Sequence, residues 1–169
     1  LSIEDHLMAL ARERDDATEH ALTGLLIEGP SRLLRDLRTY LSRQADQGRI
    51  RKTNEKIPRL ETGAAGLNQL TCDELRFCSG ARLDFKIHLE TYQAGWAIKR
   101  FQFHIQLPHA RSIRMVRVHL NIQGWHDPLS VPRCHLHIDN SQAHVPFPIM
   151  NPLLVLHLMC EHIEADFGT

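Results

Sequence analysis

Leu83-Asp84-Phe85-Lys86-Ile87-His88-Leu89-Glu90 alternates apolar and polar residues without a break. Period two is the signature of a half-buried strand with one wet face. Three further segments repeat it. Phe101, Phe103, Ile105 and Leu107 alternate with Arg100, Gln102, His104 and Gln106. Val116, Val118, Leu120 and Ile122 alternate with Met115, Arg117, His119 and Asn121, and Cys134, Leu136 and Ile138 are set against Arg133, His135, His137 and Asp139. Short links around Gln93–Gly95, Pro108–Arg111 and Gly124–Pro128 predict that these strands form a four-stranded antiparallel β-meander.

Outward from this sheet the period changes. Ile3, Leu7, Leu10, Ala17, Ala21, Leu22, Leu25 and Leu26 recur near helical spacing after a start at Ser2, until Gly29-Pro30 breaks the pattern. Ser31 is placed to cap a second helix, with Leu33, Leu34, Leu37, Tyr40 and Leu41 as its apolar face and Gly48 at its end. The short connection predicts an N-terminal α-helical hairpin. Asn151-Pro152 opens a C-terminal helix whose Leu153, Leu156, Met159, Cys160 and Ile163 cover one sheet face. The expected class is α+β, one compact unit divided into a helical hairpin (1–48), a loosely structured connector (49–80), and the sheet with its C-terminal helix (81–169).

At 169 residues the chain is long enough to bury a core without disulfides. Its four cysteines, Cys72, Cys78, Cys134 and Cys160, lack the spacing of a zinc ribbon or a secreted framework, and predict a reduced, cytoplasmic protein. No signal peptide opens the sequence, and the apolar stretch from Ile149 to Cys160 is interrupted by Asn151, Pro152 and His157, so no membrane partner is expected. Charge is zero overall but uneven: residues 1–28 carry a net −5 and residues 29–59 a net +6. That excludes a uniformly basic nucleic-acid binder. It leaves a local stripe, in which Arg35, Arg38, Arg49 and Lys52 are the candidate RNA phosphate contacts, set against a solvated face pairing with the acidic first helix.

Nine of the twelve histidines fall between His104 and His162, and several share the polar face of the sheet. Symmetric pairing about each turn sets His88 opposite Arg100, Arg100 opposite His119, and His119 opposite His135. Two chemistries suit such a row. His119 and His135 as an acid–base pair, with His88 beside them and Arg100 binding the anion, fit metal-independent phosphodiester cleavage of RNA. Arg117, Gln102, His104, His137 and Asp139 would then contact substrate. Alternatively, His119, His135, His137 and Asp139 form a site for a divalent metal such as zinc, against which an adjacent arginine counts. A third reading is a non-catalytic interaction module in which the same sheet face docks a partner and the histidines lend it pH sensitivity; separately, the N-terminal helical hairpin is a candidate surface for a protein partner or a second copy.

The C-terminal string Ile138-Asp139-Asn140-Ser141-Gln142-Ala143-His144, followed by Pro146-Phe147-Pro148, resembles the strand-end Asp-Asn, His and Phe-Pro pattern of small TumE-type toxins. The resemblance stops there, lacking that pattern's His-His and terminal His pairs. It implies an RNA-directed activity and a protein partner such as an antitoxin.

Overall fold

The computed structural model describes residues 2–24, 28–51, 59–62, 68–93, 95–108, 112–122 and 128–167. The chain is α+β. Two N-terminal helices, α1 (Ile3–Gly24) and α2 (Pro30–Asp46), precede β1 (Arg59–Thr62), β2 (Asn68–Arg76), β3 (Arg82–Tyr92), β4 (Gly95–Gln106), β5 (Met115–Leu120), β6 (Cys134–Ile138) and β7 (Val145–Pro146). The C-terminal helix runs from α3 (Pro152–His157) through a π-helical stretch (Leu158–Ile163) into a last turn, α4 (Glu164–Phe167).

All strands join one antiparallel sheet in chain order, six of them full strands and the seventh two residues long. The expected meander of four is therefore too small. The extra strands β1 and β2 lie inside the stretch read as a connector. β2 escaped the sequence reading because Asp73 and Glu74 form a bulge, with Glu74 at φ 53°. Its apolar residues sit at Leu70 and Cys72, then at Leu75 and Phe77, so the alternation changes parity midway.

One sheet face is the core. Leu70, Phe85, Ile87, Phe103, Ile105 and Val118 are fully or almost fully buried, and register partners Phe85 and Phe103 stack with ring centroids 5.1 Å apart. Leu33, Leu37 and Leu41 of α2 cover this face together with Val155, Leu156, Met159 and Cys160 of the C-terminal helix. Each such side chain contributes roughly 1.5–3 kcal/mol. The C-terminal helix begins as its sequence predicts, with Asn151 Oδ1 accepting from Leu153 N at 2.9 Å and Pro152 following the cap.

Both N-terminal helices pack on the sheet. The more extensive contacts of α1 are with β4 and those of α2 with β1 and β2. The charges follow: Glu19 of α1 pairs with buried Arg133 just before β6, while Arg32 of α2 pairs with Asp36 of its own helix and with Glu28 just before it. The helix α2 starts one residue before Ser31, with Pro30 in its first turn and Gly29 as the cap at φ 143°, a backbone angle that favours glycine.

Candidate functional site

The opposite face carries the histidines, and register decides which of them meet. On β3 and β4, His88 faces Arg100. Between β4 and β5 the register places Gln102, not Arg100, opposite His119, and His104 opposite Arg117. The reversal extends to Leu107–Arg114, where Leu107 N donates to Arg114 O at 2.7 Å, so the turn is two residues longer than Pro108–Arg111. An even shift keeps every side chain on its expected face but slides the partners by one pair. From β5 to β6 His119 faces His135, and Arg117 faces His137. The contiguous row is thus Lys86, Gln102, His119 and His135.

The β6 end of this face is not open. Asp139 adopts a left-handed turn, φ 53°, and the following segment folds back to pair β7 with β6. His135 and His137 are 2% and 7% exposed. His144, which sequence reasoning did not place in a site, lies on them with ring centroids 4.8 Å and 4.5 Å away. Strand alternation does not mark it, because it reaches the site only through the turn at Asp139; the one signal for it is its place in the Asp-Asn, His string at the end of β6.

His119, His135 and His137 each offer a ligand atom within 4.8 Å of the other two. His135 Nδ1 lies 2.8 Å from Pro132 O. A carbonyl only accepts, so Nδ1 holds the proton and the ring's lone pair is on Nε2. His137 Nδ1 is buried with no hydrogen-bond partner among the described residues. His104 Nε2 is 2.6 Å from His119 Nε2, so one of the two donates and the other accepts. Burial holds the His119 imidazole down at about 3, helped by neighbouring His104, His135, His137 and Arg117. Burial and Arg117 lower His104, although Asp84 opposes them. Burial, His144 and Arg117 lower His137 against hydrogen bonds to the backbone at Ser141 and Ala143. His104, His119 and His137 are therefore biased toward the neutral form that can ligate a metal.

Other predicted residues lie apart from this trio. Asp139 Oδ1 accepts from Arg114 N and Met115 N, and Asp139 is not in the trio's ligand cluster among the described residues. The Arg117 guanidinium donates to Asp139 O at 2.9 Å, and its buried Nε has no partner among the described residues. Lys86, His88, Arg100, Gln102 and His119 line a cavity of about 420 Å³ at the β3–β5 end of the same face. Burial, with Arg100 and Lys86 adding to it, lowers His88 to about 4. Arg35 and Arg38 border a groove on α2, whose leucines pack on the opposite, apolar face, and Arg49 is paired with Glu161. The sheet thus separates this stripe from the histidines. Lys52 lies outside the described residues.

No described helix is long and apolar enough to cross a membrane. Compared with protein-family models, with curated proteins and with solved structures, the chain matches none.

Proposed function

We propose that this protein is a phosphate-handling protein whose chemistry is carried by a divalent metal, of the zinc class, held by His119, His135 and His137. The observation that carries the reading is the convergence of three ligand atoms within 4.8 Å on a largely buried site. Ligand nitrogens of a tetrahedral zinc site are about 3.4 Å apart, so binding would draw the rings together by about an ångström. Three protein ligands leave a fourth position, the arrangement of a catalytic rather than a structural site. When bound there, such an ion supplies a Lewis acid and lowers the pKa of its water.

The residues around the trio support this. The bond from His135 Nδ1 to Pro132 O is the outer contact that orients a ligating imidazole. An ion would also satisfy the buried Nδ1 of His137. Arg117 beside the trio is unfavourable for a bare cation, but favourable once an anion lies between guanidinium and metal, which suits a phosphate substrate. The metal-independent acid–base version is weaker. A general acid must be protonated near neutral pH, and His119 is held neutral down to about 3.

The exposed Ile3, Leu7 and Leu10 of α1 are the surface we assign to a protein partner or a second copy. Four free cysteines, three of them buried, support a reducing, cytoplasmic setting.

The test is metal content in untagged protein purified without chelator, with Co²⁺ absorption as the second readout. About one ion per chain, and visible bands of tetrahedral Co²⁺ that disappear in His135→Ala and His137→Ala, are expected. A folded chain that neither carries nor takes up Zn²⁺ or Co²⁺ overturns the proposal.

A further inference from the structure

Resting on the phosphate-handling reading and sharpening it, we infer that the cavity between β3 and β5 binds a small phosphorylated compound, with Lys86 and Arg100 gripping its phosphate. The cavity, about 420 Å³, falls in the range of roughly 300–1,000 Å³ typical of small-molecule sites. Among the described residues no acidic side chain lines it.

Several cations elsewhere in the chain are neutralised by acids. Lys99 is paired with Glu90, Arg133 with Glu19, Arg49 with Glu161 and Arg32 with Asp36. Lys86 and Arg100 are exposed and have no acidic partner among the described residues. The acids that flank Lys86 and His88 on β3 are engaged elsewhere: Asp84 Oδ1 accepts from Glu74 N, and Glu90 holds Lys99. Among the described residues the site is therefore left with two positive charges and no acidic ion-pair partner, an attraction for an anion.

Register sets the grip. Lys86 faces Gln102 and Arg100 faces His88, so the two cations are diagonal neighbours on adjacent strands, roughly 7–8 Å apart at the backbone. Both side chains are long enough to meet on one phosphate, Arg100 through its planar fork and Lys86 as a point charge. Gln102 faces His119, which places Arg100 diagonally across from that candidate metal ligand. A phosphate held here lies beside the metal site and not on it, with Gln69 and Asn121 on the cavity wall to recognise the remainder of the molecule. A single-stranded RNA would need an extended groove with exposed aromatic platforms, whereas the aromatic ring in this wall, Phe101, is buried.

The experiment is calorimetric titration of the full chain, metal-loaded and metal-stripped, with inorganic phosphate, adenosine 5′-monophosphate, adenosine and a short single-stranded RNA. Adenosine 5′-monophosphate and phosphate should bind both forms, with adenosine weaker by tenfold or more. Lys86→Gln and Arg100→Gln should each weaken phosphate binding about tenfold, while Arg82→Gln, outside the cavity, leaves it unchanged. Retained binding in the Lys86→Gln/Arg100→Gln double variant overturns the inference. So does RNA binding through these residues without mononucleotide or phosphate binding. Phosphate binding by a chain that takes up no metal defeats the metal centre but keeps this pocket; metal uptake without phosphate binding does the reverse.

Discussion

The two faces of this sheet are made by the same strands and by alternate residues of the same segments, yet they are held by different physics. On the apolar face, Phe85, Phe103, Ile105 and Val118 need only be apolar and about the right size to be covered by α2 and the C-terminal helix. On the polar face, His104, His119, His135, His137 and His144 meet ring to ring at 4.5–5.4 Å, all edge to face except the tilted His104–His119 pair, and what they can do depends on which ring faces which. The dry face tolerates a slip of one residue pair; the histidine face acquires a different chemistry from the same slip. The first face supplies the apolar core, and the second packs imidazoles out of water, where burial disfavours the charged form of His104, His119 and His137.

The sharpest way to break this division is to cut each face separately. Phe103→Ala should cost about 3–5 kcal/mol in urea unfolding, because the ring is fully buried and stacked on Phe85. If the faces are independent, that variant still takes up Zn²⁺ at a temperature where it is folded; loss of metal with the fold intact would show that the core positions the histidines. In the reverse experiment, Zn²⁺ at a hundredfold excess over its dissociation constant should stabilise the wild-type chain by about 2.7 kcal/mol. His137→Ala should abolish that increment, and an equal increment in the variant would mean that the ion binds elsewhere.

The same contrast explains what the sequence discloses. Alternation from Leu83 to Leu120 assigns faces, and the face assignments at these strands survive because an even register shift preserves them. Partner identity is another matter. His119 meets Gln102 because the β4–β5 reversal includes Ser112 and Ile113, and turn length is not written in strand periodicity. β2 is hidden by its own bulge at Asp73 and Glu74. The burial of His135 and His137 is equally unreadable from β6, since the cover comes from a segment after the Asp139 turn that carries His144. Strand alternation makes Lys86 one more polar residue on a wet strand; its place in the cavity, and the engagement of Asp84 and Glu90 elsewhere, are visible only in the fold.

Acid should separate the faces more gently. In the folded chain His88 is neutral down to about 4, whereas in the unfolded chain an imidazole takes a proton near 6.5. Between those values the unfolded state binds more protons, so stability is full above pH 6.5, falls as pH drops toward 4, and is not lost further by this group below that. For a half-buried ring the loss is on the order of 1–2 kcal/mol after solvent screening. His88→Gln should flatten the metal-free stability curve between pH 6.5 and 4 by that amount, and an unchanged slope would remove His88 from the set of destabilised imidazoles. Phosphate, by screening Lys86 and Arg100, should shift the same titration upward.

The smallest expected effect lies at the rim of the dry face, where polar contacts fasten a helix that apolar packing already holds. Gln44 Nε2 donates to Glu161 Oε1 at 2.6 Å, Arg49 pairs with the other oxygen, and Tyr40 Oη meets His157 Nδ1 at 3.2 Å. These bonds link α2 and the residues after it to the C-terminal helix. The Arg49 and Glu161 side chains remain 37% and 22% exposed, so water competes for them. Glu161→Ala should therefore cost only about 1 kcal/mol in urea, most of it from leaving Gln44 without its partner. A loss as large as that of Phe103→Ala would mean that the clasp, and not Leu156 and Met159 beneath it, holds the C-terminal helix on the sheet, and the dry face would then owe its cover to polar bonds as the histidine face does.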